Sequence, residues 1–279
     1  MIRLSQTKDI PDIITLWNEA FGDSEEDIRF FLDRKYIPEN TVVYDDNGKI
    51  ASVLFLLSGD MIISGKVYPS YYLYAAATLQ SYRGKGIMGK MLEYSKNLAS
   101  GRGIEFICLR PGEKSLFDFY KKHGYKTVFY SKKLSVGANR LIPNDGLSDN
   151  PPENLAEIRD NYLNNSDYFR WSEDSIRFAL DYNSHFGGTN KYTCNSYLLY
   201  SESNDRDYVK ECTFTDIRTL YISTNTSEGN SLYNVIFNLP LSIETDVGNY
   251  EIHPDGMAIS CGDIPAESIK NGYLGLTLE

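Results

Sequence analysis

Residues 83–89, Arg-Gly-Lys-Gly-Ile-Met-Gly, place three glycines and two cations within seven positions. The run follows a strand-like stretch and opens an apolar-periodic one, which predicts a strand-to-helix junction. The first N–H groups of a helix have no partner within it, and together with the helix dipole they make an anion site. Glycines let the backbone approach a phosphate closely, and Arg83 and Lys85 add positive charge. Taken alone, the run equally fits a flexible loop with solvated cations. Two familiar phosphate motifs fail here. A P-loop needs a hydroxyl for magnesium, whereas Gly84-Lys85 runs on into Gly86 and Ile87. Gly84, Gly86 and Gly89 have the spacing of a dinucleotide fingerprint, but hairpin-like strands precede them and no acidic residue ends the following strand.

Tyr120 lies in Lys-Ser-Leu-Phe-Asp-Phe-Tyr-Lys-Lys-His-Gly, a short amphipathic stretch closed by Gly124. A phenol can give a proton to a departing group. Phe117 and Phe119 beside it fit a core aromatic equally well. His123 sits where that helix ends, suited to its negative pole. His185 and His253 have no carboxylate or cysteine at metal-ligand spacing, so no metal is expected. Cys108, Cys194, Cys212 and Cys261 form no CxxC pair and read as buried free thiols of a reducing compartment.

The elements that would position these groups alternate in period. Residues 2–4 read as a strand. A helix is expected over 10–21, with Ile10, Ile13, Ile14 and Trp17 on one face. A second follows Ser24, with Glu25, Glu26 and Asp27 at its positive end. Residues 41–59 read as strand, turn, strand around Asn47-Gly48, and strands continue to Leu79 with a turn at Gly65. A helix from Gly86 to Leu98, a buried strand (Ile104–Arg110), the Tyr120 helix and a final strand to Val136 complete this half. Residues 137–154 are rich in Gly, Pro, Asn and Asp and read as a linker. Beyond it, helices are expected after Pro151-Pro152 and over Ser172–Tyr182. Strands are expected at Tyr192–Tyr200, Tyr208–Phe214 and Val235–Leu239, with a hairpin turn at Asp255-Gly256. The expected domains are 1–136 and 155–279.

The length of 279 residues suits two domains, and 42% hydrophobic residues suffice for a core. A net charge of −10 argues against a nucleic-acid partner; it suits a cationic substrate, although surplus acid more often serves solubility alone. The N-terminus lacks a signal peptide's apolar core, and no apolar run is long enough to span a bilayer. No membrane association is expected, and a cytoplasmic setting is.

The whole run from Tyr72 to Val128 resembles the acetyl-CoA-binding core of the GNAT superfamily of N-acetyltransferases. It has a strand, an Arg-x-x-Gly-x signature, a helix, a buried strand and a Phe-Tyr-Lys-Lys-His-Gly-Tyr-Lys ending. The resemblance implies an α+β fold: a mixed, mostly antiparallel sheet flanked by helices. It implies acetyl-CoA as co-substrate, with Arg83, Gly84, Lys85, Gly86, Ile87, Met88 and Gly89 on the pyrophosphate and Ala77, Thr78 and Leu79 on the pantetheine arm. Tyr120 matches the tyrosine that protonates the departing CoA thiolate. Met88 stands where the signature usually has Gly or Ala, which resembles the enhanced-intracellular-survival (Eis-type) branch. That branch carries a second, degenerate acetyltransferase-like domain, matching the size of 155–279. Its sterol-carrier-like third domain has no room here as a full unit. In that branch the terminal carboxylate enters the active site, which makes Glu279 the candidate base, with Leu276 and Leu278 packing toward the first domain. Glu113, Tyr71, Tyr72 and Tyr74 are weaker rivals. The implied reaction is direct attack of a primary amine, small-molecule or peptide, on acetyl-CoA in a ternary complex. A non-catalytic acyl-CoA-binding or regulatory protein and an acyltransferase with another acyl donor stay open.

Overall fold

The computed structural model describes residues 1–137, 141, 146–203, 206–214, 216–217, 234–276 and 278. The chain forms two compact units. The first comprises Met1–Met61, Val67–Thr127 and Gly256–Ser268; the second comprises Ile62–Lys66, Val128–Asp255 and Ile269–Glu279.

In the first unit, β1 (Ile2–Leu4), α1 (Ile10–Phe21), α2 (Glu25–Lys35), β2 (Thr41–Asp46), β3 (Lys49–Ile63) and β4 (Lys66–Thr78) precede α3 (Ile87–Gly101), β5 (Phe106–Leu109) and α4 (Lys114–Lys122). β1 and β3 both pair antiparallel with β2, β4 neighbours β3, and β5 joins β4 in parallel. The apolar run of β3 explains the layers. Successive side chains point to opposite faces, and both faces are covered. Phe55 packs with Trp17 of α1 (5.5 Å) and Phe31 of α2 (5.2 Å) on one side. Leu54 and Leu56 belong to the cluster that holds Ile87, Met91 and Tyr120 on the other. Ser24 caps α2 reciprocally with Asp27, accepting the Asp27 N–H at 3.2 Å and donating its own N–H to that carboxylate at 3.2 Å. At the β2–β3 turn, Asn47 and Gly48 both have positive φ (54° and 95°), the hairpin geometry that their sequence predicts.

The second unit contains most of β6 (Lys126–Gly137), then α5 (Leu155–Tyr162), β7 (Tyr168–Arg170), α6 (Glu173–His185), β8 (Thr189–Tyr192), β9 (Tyr197–Glu202), β10 (Arg206–Cys212) and β11 (Asn234–Leu239). β6 pairs antiparallel with β11, β11 parallel with β10, and β10 and β8 antiparallel with β9. Its core gathers Leu134, Val136, Leu198, Tyr200, Val209, Phe237 and Leu239. A fully buried ion pair, Arg159–Glu211 (3.0 Å), receives the incoming C-terminal segment. Arg159 donates to the Leu274 carbonyl (3.3 Å), and Glu211 accepts the Leu276 N–H (3.0 Å).

Four expectations need correction. The strand expected over Tyr192–Tyr200 is two strands, β8 and β9, joined by a turn in which Thr193 N–H meets the Ser196 carbonyl at 2.9 Å. Asp255-Gly256 is no hairpin: it lies inside β12 (Asn249–Ser260), in extended backbone that does not need positive φ. The part of β12 from Met257 to Ser260 pairs antiparallel with β5, so this late segment belongs to the first unit and not to a separate 155–279 domain. Finally, 137–154 is not a free linker where it is described. Leu141 is buried, and Ser148 exchanges backbone hydrogen bonds with Tyr192 at 2.8 and 2.9 Å. Turn-rich composition signals changes of chain direction, which packed segments also make. Cys108, Cys212 and Cys261 are buried as expected, whereas Cys194 is exposed.

Candidate active site

Two irregularities open the first unit's sheet at the junction read from the sequence. The β4–β5 ladder consists of Ser70↔Phe106, Tyr71↔Ile107 and Tyr72↔Cys108, and stops there although β4 runs on to Thr78. Three residues later Ala75 has φ 47°, a left-handed conformation that costs a non-glycine residue about 1–2 kcal/mol. Beyond Tyr72 and Cys108 the two strands no longer pair with each other. The far end of β4 is then held firmly on β3. Ser52 Oγ donates to the Ala77 carbonyl (2.7 Å) and meets Thr78 Oγ1 (2.8 Å), and the Leu79 N–H donates to the Ala51 carbonyl (3.0 Å).

The chain next makes a single 3-10 turn, Gln80–Tyr82, and enters the glycine loop. Gly84 (φ 77°) and Gly86 (φ 71°) are both left-handed, and Gly86 is the N-cap of α3. A side chain at either position would be strained. Arg83 Nε donates to the Thr78 carbonyl (3.0 Å), closing the loop on β4. The Tyr82 hydroxyl donates to Asp46 (2.7 Å), and Lys85 Nζ lies 4.7 Å from the Tyr82 ring centroid. A cleft of about 230 Å³ opens here, lined by Arg83, Gly84, Gly86, Met88 and Gly89 together with Thr78 and Tyr82.

This cleft contains most of the expected loop residues. Ile87 lines it while its side chain is buried in the core. Lys85 is not in its wall but stacked on Tyr82. Of the three expected pantetheine residues, Thr78 lines the cleft, while the Ala77 carbonyl and the Leu79 N–H are already engaged on β3. Phe119 and His123 of the α4 segment also line it and escaped the sequence reading. Their i, i+4 spacing on the helix that carries Tyr120 was the available signal. The His123 ring packs 4.8 Å from Phe119 and directly over Gly89, where an added Cβ would sit 2.4 Å from the ring's Cε1. Gly89 is thus required for close approach of two helices.

Tyr120 is 7% exposed and sits in the same apolar cluster as Leu73 of β4 and Ile107 and Leu109 of β5. Its hydroxyl has no hydrogen-bond partner among the described residues. Burial pushes its pKa up from 10.0 to about 12, so it is a phenol, not a phenolate, at neutral pH. Tyr125, 5.5 Å away ring to ring, is fully buried, and its hydroxyl also lacks a partner among the described residues. Cys108 is fully buried and its thiol is pushed up by desolvation, which disfavours it as a nucleophile. Glu113 is exposed at the start of α4, where Ser115 donates to it. Tyr74 packs among Trp17 and Phe31. Leu276 and Leu278 are buried, the described tail falls in the second unit, and Glu279 lies outside the described residues. Among the described residues no group of three or more His, Cys, Asp or Glu could hold a metal, and no helix is long and apolar enough to cross a membrane.

Comparison with known proteins follows the same outline. Residues 1–128 match the family model described as an acetyltransferase (GNAT) domain. Among solved structures, a GCN5-related N-acetyltransferase from Kribbella flavida is similar at TM-score 0.69 and 13% identity, over 92% of this chain and 70% of that one. One from Anabaena variabilis is similar at TM-score 0.70 and 14% identity, over 92% and 72%. Eis1 from Mycobacterium abscessus is similar at TM-score 0.66 and 13% identity, over 94% and 74%. At such identities the likeness is one of fold. Comparison with curated proteins finds no match. Residues 1–128 therefore belong to the GNAT acetyltransferases, and this part of the chain is an acyltransferase domain.

Proposed function

We propose that the protein moves an acetyl group from acetyl-CoA to a primary amine by direct attack within a ternary complex. One observation supports this reading: the β4–β5 split and the glycine-lined N-terminus of α3 belong to one unit, in whose core Tyr120 packs in the same cluster as Leu73, Ile87 and Ile107. The first offers main-chain groups to a pantetheine arm, and the second offers N–H groups and positive charge to a pyrophosphate. Tyr120 would supply a proton to the leaving thiolate.

In this reaction the neutral amine attacks the thioester carbonyl, the carbon–sulfur bond breaks, and the sulfur leaves as a thiolate that takes a proton. The phenol holds its proton tightly. Transfer to a thiolate whose ordinary pKa is near 8.5 is therefore uphill, and the hydrogen bond stabilises developing charge ahead of full transfer. An amine with a pKa near 10 is mostly protonated at neutral pH and must lose that proton first. Glu279, through the resemblance, is the candidate acceptor for it. The net charge of −10 favours a cationic acceptor, and a cytoplasmic setting with free thiols belongs to the same reading.

The test is thiol release from acetyl-CoA against a panel of polyamines, aminoglycosides, small amines and peptide N-termini. Amine-dependent release with formation of the acetamide supports the proposal. Tight CoA binding without turnover on any member would favour a binding or regulatory role instead. Turnover with a longer acyl-CoA alone would change the donor.

A further inference from the structure

The sheet of the second unit repeats the irregularity seen in the first. There, β4 and β5 pair in parallel over three residues and then stop. Here β10 and β11 pair in parallel over Arg206↔Asn234, Asp207↔Val235, Tyr208↔Ile236 and Val209↔Phe237, and then stop. β10 runs on to Cys212 and β11 to Leu239, and the register of β10 against β9 shifts between Val209 and Glu211. Such a bulge re-aims the side chains that follow it. Just past the break, both strands meet the C-terminal segment. Glu211 of β10 accepts the Leu276 N–H (3.0 Å), and the Asn238 carbonyl of β11 accepts the Tyr273 hydroxyl (3.4 Å).

We propose that this break is a peptide-binding site, occupied in cis by Tyr273–Leu276, that takes an apolar segment with glycine at its third position. The segment is held as a bound peptide is held. It meets β6 and β7 through isolated bridges, Phe129↔Gly272 and Tyr168↔Tyr273, rather than through a ladder. Side chains supply the rest. Arg159 donates to the Leu274 carbonyl (3.3 Å) while Glu211 takes the N–H two residues on. A cation and an anion side by side thus read a carbonyl and an N–H of one main chain. Both charges are fully buried and fixed by other partners: Arg159 donates to the Phe169 carbonyl (2.7 Å) and to Glu211 (3.0 Å), and the Tyr197 hydroxyl donates to Glu211. Vacating the site would leave buried polar groups short of partners, so the pair favours an occupied state. Tyr273, Leu274 and Leu276 are buried and anchor the segment on either side of Gly275. Gly275 supplies the selectivity. Its φ is 58°, and an added Cβ would collide with Glu211 Oε2 and lie 2.7 Å from Arg159 Nη2.

The experiment titrates a synthetic peptide of residues 270–279 into the unaltered protein and into a full-length Gly275→Val variant whose fold is checked by thermal melting. The valine displaces the variant's own segment and empties the site. The variant should bind the natural peptide 1:1, at least about tenfold more tightly than a peptide carrying the same valine. The unaltered protein, already occupied, should bind neither. Hydrogen exchange on the unaltered protein gives a second reading that needs no variant. The Leu276 amide should exchange at least about tenfold faster than the amides of β10 and β11, because the segment leaves while the sheet stays closed. Exchange of Leu276 in step with β10 and β11 would make the segment an inseparable part of the fold and overturn the proposal, and this reading decides alone where the variant does not fold. A folded variant that binds neither peptide, or both equally, would overturn it too. A second equivalent of CoA bound by the variant would assign the break to a cofactor arm and overturn the peptide reading.

Discussion

Removing one oxygen from Tyr120 separates a catalytic from a structural role, because the first lowers the rate and the second the stability. The side chain is buried, yet its hydroxyl meets no partner among the described residues. The Tyr120 oxygen nevertheless keeps contact with water, unlike that of Tyr125, so it carries no full desolvation cost. Tyr120→Phe keeps the ring contacts to Phe119 (5.2 Å) and Tyr125 (5.5 Å) and removes only that oxygen. The melting temperature should therefore stay level. Burial lifts the phenol from 10.0 to about 12, a penalty on the phenolate of about 3 kcal/mol, so the group exists as a proton donor across the physiological range. Losing that donor should lower kcat by roughly 10²-fold, with CoA affinity unchanged. Tyr125→Phe is the matched control. Its hydroxyl is fully buried without a partner among the described residues, so removing it should hold or raise stability, with kcat intact. The assay is single-turnover acetyl transfer, where chemistry is observed directly, alongside calorimetric melting. A Tyr120→Phe variant that melts earlier and turns over normally would show the residue to be structural and refute the reasoning.

Other consequences are equally accessible. Because the Tyr120 pKa is raised, its acid form is lost only as pH climbs through about 12, so no alkaline limb below about pH 11 should vanish in Tyr120→Phe. Gly89→Ala should gain about 0.5–1 kcal/mol from helix propensity but force the His123 ring off Phe119, a contact worth about 0.5–1.5 kcal/mol. In a His123→Ala background only the gain should remain, and a double-mutant cycle in melting temperature reads the difference. Arg159→Met leaves Glu211 as an uncompensated buried charge and should cost about 3–5 kcal/mol; Arg159→Met with Glu211→Leu should cost less, by denaturant titration.

Much of the candidate site could be read from local sequence because its determinants are local. Gly84 and Gly86 occupy left-handed positions that glycine suits best, and Asn47-Gly48 dictates its hairpin. Ser24 and Asp27 announce the start of α2. What escaped depends on partners distant in the chain. Nothing in Ala75 reveals a left-handed residue: the kink is imposed by the surrounding sheet, with Ser52 and Ala51 holding the end of β4. Gly256 read as a turn because glycine is common there, whereas β12 needs it in extended backbone. A strand's own residues do not name the sheet it joins, and so β12 pairing with β5 was out of reach. His123 read as a helix end alone, since its second role, lining the loop cleft and packing over Gly89, exists only once α3 and α4 are packed.

The central claim is that the Gly84–Gly89 turn cradles the phosphates of CoA, and calorimetric titration of CoA into the unaltered protein and two Gly86 variants tests it most directly. Gly86→Asn introduces a residue that tolerates the left-handed φ of 71° and carries no charge, and so reports on side-chain bulk without added charge. Gly86→Glu adds a negative charge at the N-cap of α3, against the phosphates. The account predicts saturable 1:1 binding to the unaltered protein, weakened binding to the Asn variant, and none measurable to the Glu variant, with all three folded. Equal CoA affinity in the Glu variant and the unaltered protein would contradict it.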